Sequence, residues 1–252
     1  MAAPIRILIP GDSQEPETLR LALACAQQIA RTARSADILL VTHATSQLRH
    51  TPLAAHLGED RARALLDGLE LPLPSGATLR HGTIASLRYP SGRPVVVAYY
   101  ADDKLLDLVD SMAGVEGVVA VPWVPGQVDE WRERWAPIVP GEERQAPADL
   151  LDDPVVEAAL RSMSATINLS YPLIQSHDRE WVDGPLRILR ARGHSLDPAK
   201  IRNWAIRNGW KAGAADDLAK RVRKFAAMKT RPRLTAIPDA EARYERWKRG
   251  EE

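Results

Sequence analysis

The chain is poor in the residues that most often announce a chemistry. Among 252 residues there is one cysteine, Cys25, set in the apolar run LALACA. No intrachain disulfide and no cysteine-rich zinc site can be built from it, and a reducing compartment is the expected setting. Aromatic residues make up 5% and, tryptophan apart, are sparse. No uninterrupted apolar run approaches the roughly 20 residues needed to span a bilayer. The opening segment MAAPIRILIPGDS has no basic stretch leading into a long apolar one, so a cytoplasmic protein without membrane contact is expected. Neither GxGxxG nor GxxxxGK[ST] occurs, which argues against the common dinucleotide-dependent enzymes and P-loop NTPases. His43, His50 and His56 fall irregularly through a stretch expected to be loop. They do not show the i, i+4 spacing of a helical metal site, and neither metal nor cofactor is expected.

What is present is an ordinary globular balance, 45% hydrophobic and 27% charged. The length suits two compact domains of about 100–150 residues. The net charge of +1 hides an asymmetry: residues 1–150 carry 14 Lys+Arg against 19 Asp+Glu, a net −5, and residues 151–252 carry 20 against 14, a net +6. Within Arg187–Arg233 there are 14 basic residues and 3 acidic, a net +11. Such a split points to a polyanionic partner for the second half, although basic surfaces also serve acidic proteins and phosphorylated ligands.

Residues 1–138 alternate strand and helix signals. Ile5–Ile9, Ala36–Thr42, Ala77–Ile84, Pro94–Tyr100 and Gly117–Trp123 read as strands, the third and fourth either a hairpin or neighbours across the turn Tyr89-Pro90-Ser91-Gly92. The segments between them carry helical periodicity. Continuous apolar strands of this kind predict an α/β fold with a mostly parallel sheet, Rossmann-like or flavodoxin-like, covered by helices on both faces.

In such sheets ligands sit beyond the carboxyl ends of the strands. Gly11, Asp12 and Ser13, then Thr42 and His43 with Thr45, then Tyr99, Tyr100, Asp102 and Asp103, and finally Trp123 occupy those ends. Asp12, Asp102 and Asp103 offer hard oxygens to magnesium, and His43 offers a base near Ser13. Each also has a plain reading, since Asp and Ser cap helices and acids favour a helix's first turn. A small ligand, phosphorylated or not, or a self-association surface is the expectation for this half.

Residues 139–153 combine Pro, Gly and charge and read as a linker. Residues 154–252 read as a smaller all-helical, basic domain. Asp153-Pro154 and Asp197-Pro198 both have the form of helix starts, with Asp as N-cap and Pro in the first turn. The loop Ile167–Trp181 carries Asn168, Ser170, Tyr171 and His177, and a helix is expected only in the second half of Glu180–Gly193. Ile201, Trp204 and Ala205 share one helix face. Ala215, Leu218, Ala219, Val222, Phe225 and Ala226 share another, with Asn208-Gly209 as the hinge of a helix-turn-helix-like hairpin. Asp216 and Asp217 lead the second helix and are spaced for pairs with Lys220 and Arg221. Tyr244 and Trp247 in the tail suit a docking helix or a frayed end.

The nine residues Ile201-Arg202-Asn203-Trp204-Ala205-Ile206-Arg207-Asn208-Gly209 resemble the Ile-Arg-x-Trp-Ala-x-x-Asn-Gly segment in the DNA-binding domain of the actinobacterial nucleoid-associated silencing proteins. The resemblance implies a small helical DNA-binding unit. In that family an Arg-Gly-Arg loop follows and enters the minor groove of A·T-rich DNA; here Trp210-Lys211-Ala212-Gly213 follow. Arg187, Arg190, Arg192, Arg202, Arg207, Lys211, Lys220 and Arg221 are the residues expected to meet nucleic acid, those around the hinge above all. The combined expectation is a non-enzymatic, regulator-like protein able to form a homo-oligomer. The rivals are an enzyme acting on an anionic or phosphorylated substrate at the strand ends, and a protein-interaction module of a mobile element or defence system.

Overall fold

The computed structural model describes residues 3–88, 92–170 and 176–251, and the chain forms two units, residues 1–147 and 148–252. Tyr89, Pro90 and Ser91 of the expected turn, Tyr171, and the side chain of His177 lie outside the described residues. The expected class holds: a mostly parallel six-stranded α/β sheet is followed by a helical region.

In the first unit the order is β1 (Ile5–Leu8), α1 (Pro16–Ala33), β2 (Asp37–Thr42), α2 (Thr45–His50), α3 (Pro52–Leu57), α4 (Glu59–Leu66), β3 (Leu71–Pro72), β4 (Thr78–Thr83), β5 (Val95–Ala101), α5 (Asp103–Asp110), β6 (Gly117–Pro122) and α6 (Asp129–Trp135). The strands lie in the order β1-β6-β5-β2-β4-β3, all pairs parallel except the short β3 on β4. β4 and β5 are therefore neither a hairpin nor neighbours, because β2 lies between them. The reason is in its residues: the run Ile38-Leu39-Leu40-Val41 is apolar on both faces and gains most from a central place with a partner on each side.

Alternate residues of the strands feed two cores. Val95, Val97 and Tyr99 join Leu19, Ala22 and Ile29 of α1 and the buried leucines of α2 to α4. Val96 and Ala98 join Leu105, Leu106 and Val109 of α5 and Trp131 of α6. The stretch around His50 and His56, expected to be loop, is helical. Thr51 caps α3 by accepting from the Leu53 N–H, Pro52 opens the helix, and Leu48, Leu53 and Leu57 are buried, so packing fixes helices too short to stand alone.

The second face also buries charge. Arg134 and Asp107 pair at 2.6 Å with almost no exposure. Asp110 accepts from Arg6 at 2.9 Å and from the Trp131 and Trp135 indoles at 2.9 and 2.8 Å, with the Arg6 guanidinium 3.5 Å from the centre of the Trp135 ring. Past α6, Ile138 bridges Ile7 and closes the open edge of β1.

The second unit holds α7 (Pro154–Ser164), α8 (Ser176–Arg192), α9 (Pro198–Arg207), α10 (Ala212–Ala226) and α11 (Ala240–Lys248). Asp153 and Asp197 each accept two amide N–H groups at the starts of α7 and α9. α8 is longer than expected and runs through Pro185. Buried Val182, Leu186 and Leu189 at i, i+4 and i+7 stabilise it against the hydrogen bond that a proline cannot donate.

α9 and α10 pack as the expected hairpin, with Gly209 at φ +90, a conformation glycine adopts at little cost. Ile201, Trp204, Ala205, Ala215, Leu218, Ala219, Val222 and Phe225 are buried; Ala226, at the end of α10, is exposed. Trp210 is buried with its indole donating to Ser164 at 2.8 Å, and Trp247 of α11 joins the same core. No helix of the described residues is long and apolar enough to cross a membrane.

The buried Arg134–Asp107 pair yields the first prediction. Arg134→Ala should cost about 3–5 kcal/mol in urea unfolding, because the Asp107 charge stays buried without its main partner, whereas Arg134→Leu with Asp107→Leu together should cost far less.

Candidate functional site

The carboxyl ends of β2 and β5 lie at the switch in strand order. From β2 the chain proceeds to helices on one face of the sheet, and from β5 to α5 on the other, so the two loops part and leave a crevice position between them. The local backbone marks the same place. Tyr100 sits at φ +59, in a register irregularity between β5 and β6 at Tyr99/Ala101. A left-handed backbone at a bulky residue is costly, about 1–3 kcal/mol, and must be held by its surroundings. Its effect is geometric: Tyr99 and Tyr100, consecutive in sequence, both enter the core on the α1 face. Their rings meet edge to face at 4.8 Å, and Trp123 lies against Tyr100 at 4.6 Å.

Around these rings the polar groups satisfy one another. The Tyr99 hydroxyl donates to the Ser13 carbonyl at 2.9 Å, and the Tyr100 hydroxyl to Thr51 at 2.8 Å. Thr51 donates to the Gln47 carbonyl, while the Gln47 side chain accepts from the His43 amide at 2.7 Å. The His43 ring then stands 3.4 Å from Asp102, with side-chain exposures of 29% and 38%. Burial raises the phenol pKa of both tyrosines; nearby charges on Tyr100 and Asp12 add to this for Tyr99, and hydrogen bonding with Thr51, Gln14 and the Leu53 amide opposes it for Tyr100.

Of the expected residues, His43, Tyr100 and Asp102 thus come together at the switch point. The others take structural posts. Ser13 is fully buried, and His43 faces Asp102 instead of it. Asp12 turns its carboxylate to the Gln14 amide. Asp102 also caps α5 through the Leu105 amide, and Asp103 accepts from the Trp131 amide, its pKa pushed up to about 6 chiefly by burial. Gly11 approaches α1 so closely that a Cβ there would lie 2.8 Å from the Thr18 hydroxyl. The magnesium site imagined for Asp12, Asp102 and Asp103 does not form, and no group of three or more His, Cys, Asp or Glu able to hold a metal occurs among the described residues.

The sequence reading passed over His81, which belongs to this layer. Thr42 gives its one hydroxyl hydrogen to the Ala44 carbonyl at 3.0 Å, so the Nε2 of His81, 2.9 Å away, donates to Thr42. Burial lowers the His81 pKa to about 4. In the sequence the residue stands out only as a histidine between Arg80 and Gly82 of an expected strand.

In the helical unit the expected nucleic-acid residues divide. Arg202 pairs with Asp216 at 2.6 Å, Lys220 with Asp217 at 2.9 Å, Arg221 with Asp183 at 2.5 Å, and Arg192 with Glu241. The i, i+4 pairs foreseen from the sequence are thus replaced by one i, i+3 pair and two pairs across helices, because α9 and α8 bring their own charges alongside α10. Arg207 donates to the Ala148 carbonyl at 2.7 Å, Arg190 to the Met228 carbonyl at 2.7 Å, and the Lys211 amide to the Leu169 carbonyl at 2.8 Å. Arg187 lies over the Phe225 ring at 5.9 Å.

The positions behind the nine-residue resemblance have packing tasks: Trp204 is buried with its indole on Glu157, Ala205 is fully buried, Asn208 donates to the Trp204 carbonyl, and Gly209 makes the turn. A second polar cluster ties the unit together. The His194 ring bonds Asp153 at 2.6 Å and the Tyr244 hydroxyl at 3.0 Å, linking the start of α7 to α11. Burial raises the Asp153 pKa, but the bond to His194, its charge and the two capping amides prevail and lower it.

The structure thus defines an α/β sheet unit joined to a basic helical unit. Residues 152–248, almost the whole helical unit, match a family described as a domain of unknown function, DUF1889. No curated protein and no solved structure matches the chain.

Two titrations are expected. The His81 ring, followed by NMR, should titrate near pH 4; the stability gained by burying it neutral is complete above about 6.5 and lost as the pH falls toward 4, and His81→Asn should remove that acid sensitivity. Asp153→Ala should cost about 1–2 kcal/mol and Asp153→Asn less, since Asn still caps α7. The charge contribution of Asp153 should vanish on acidification through its depressed pKa, below the usual carboxylate range.

Proposed function

We propose that the helical unit binds nucleic acid, duplex DNA in the first instance, through a surface made by the carboxyl-terminal ends of α8 and α10 and the segment after α10. The observation that carries this reading is a pair of acid-free basic stretches that meet in space. Arg187–Gly193 holds three arginines, and Arg223–Arg233 holds Arg223, Lys224, Lys229, Arg231 and Arg233, with no Asp or Glu in either. The bond from Arg190 to the Met228 carbonyl and the stacking of Arg187 on Phe225 join the two. The side chains of the five cations of the second stretch are exposed and form no ion pair or hydrogen bond among the described residues.

Helix electrostatics explains part of this, since cations favour the last turn of a helix, where Arg223 and Lys224 stand. Lys229, Arg231 and Arg233 lie beyond α10, and no helix requires them. The hinge is the weaker candidate, because Arg202 already has Asp216 and Arg207 a carbonyl. A cytoplasmic regulator fits this reading. The α/β unit would then serve as a ligand-sensing or self-associating half, with the His43–Asp102 pair at its switch point as the place for a small ligand.

The test is binding of a labelled duplex to the full chain across a salt series. Several Lys/Arg–phosphate contacts should give a steep fall of log K with log salt, about 0.9 per contact. Charge reversal at Arg231 and Arg233 should weaken binding more than tenfold and flatten that slope. Reversal at Arg207 should do less. No binding at low salt would overturn the proposal, and a larger loss at Arg207 would return the interface to the hinge.

A further inference from the structure

A separate cleft of about 750 Å³ opens in the helical unit, walled by α8, α11 and the residues just before α11. Its size falls within the roughly 300–1,000 Å³ of small-molecule sites. Arg187 of α8 and Arg243 and Arg246 of α11 line it. None of the three makes an ion pair or side-chain hydrogen bond among the described residues. Arg243 is half-buried with its guanidinium 6.0 Å from the Trp181 ring centre and 5.5 Å from that of Trp247. Burial and the like charge of Arg246 lower its pKa, and Asp239 pulls the other way.

Folding therefore brings like charges together in a place where water is partly excluded, an arrangement that an incoming anion would relieve. Carboxylates are present but do not cancel the cations. Asp183 is held by Arg221, and of the remaining lining residues only Glu180 and Asp239 are acidic.

The cleft also offers a flat apolar wall. Trp181, 40% exposed, lines it together with Ile237 and Pro238. Gly184 contributes no side chain at this level of α8, and a Cβ there would approach Arg243 Nη1 at 3.5 Å. Tryptophan and guanidinium groups together recognise a planar ring that bears a negative group: the ring stacks, and the fork of donors takes the anion.

We propose that this cleft is a binding site for an aromatic phosphate of mononucleotide size, with the ring on Trp181 and the phosphate on Arg243 and Arg246. The site goes beyond the polyanion surface described above and shares only Arg187 with it. The two proposals can fail separately.

Calorimetry on the full chain tests it, with adenosine 5′-monophosphate as probe and adenosine and ribose 5-phosphate as its halves. The monophosphate should bind with a Kd of about 1 mM or tighter, and each half at least tenfold more weakly. Arg246→Gln, an exposed position whose change should leave the fold intact, and Trp181→Leu should each weaken binding at least tenfold. Arg231→Glu with Arg233→Glu should leave it unchanged. Absence of binding at several millimolar, or wild-type affinity in Arg246→Gln, would overturn the site. Ribose 5-phosphate binding as well as the monophosphate would overturn the role of the ring. Loss of binding in the Arg231/Arg233 variant would move the nucleotide to the basic surface and overturn the cleft.

Discussion

Seven consecutive residues of β5, Val95–Ala101, are buried, and this one constraint organises the first unit. A strand with no polar face must be paired on both edges and covered on both sides. β2 and β6 supply the edges, α1 to α4 one cover, and α5 with α6 the other. Once the covers lie on opposite faces, the loops leaving β2 and β5 must diverge, and the crevice at their ends follows from packing alone. The left-handed turn of Tyr100 belongs to the same logic, because it ends the alternation of β5 and turns a second tyrosine into the core on the α1 face. The charges buried under α5 and α6 are tolerated since each meets a partner: Arg134 with Asp107, and Asp110 with Arg6 and two indoles.

The helical unit is governed by a different balance. Its apolar stripes close one core that includes Trp204, Trp210 and Trp247. Its charges then divide into those the fold uses and those it leaves over. At the hinge Asp216 of α10 pairs with Arg202 and the Ala148 carbonyl holds Arg207, so the hinge of α9 and α10 is built like a structural joint, while acids of α8 and α11 pair with Arg221 and Arg192. The unsatisfied cations gather at two other places, the acid-free end of α10 with the segment after it and the arginine-lined cleft beside Trp181. A surface rich in solvated cations suits an extended polyanion, and a half-buried guanidinium with an exposed one nearby, beside an exposed indole, suits a small anion.

Much of the architecture was legible in local patterns. Apolar strands stopped by turn residues, the two Asp-Pro helix starts and the Asn208-Gly209 turn carry their signals within a few residues, and each stands where those signals put it. Strand neighbours were not legible: nothing local in Ala77–Ile84 or Pro94–Tyr100 says that β2 will lie between them. The short helices α2 and α3 escaped notice because burial of Leu48, Leu53 and Leu57, not propensity, fixes them. Pro185 concealed the length of α8 for the same reason. Of the strand-end residues His43 meets Asp102, and Tyr99 and Trp123 pack on Tyr100, while the others turn away, since spacing along a strand says which residues reach its end and not where their side chains turn.

By itself the sequence determined the two-part organisation, the covered parallel sheet, the basic character of the second half and its helical hairpin, because periodicity, caps and charge counts are properties of neighbouring residues. Only the tertiary structure decided which charges remain available. Arg202, Arg221 and Arg231 look alike along the chain; α10 and α8 bring a carboxylate to the first two, while the third follows α10 in a stretch without acids. A count of charge is fixed by composition, whereas its neutralisation depends on distances of a few ångströms between residues far apart in sequence.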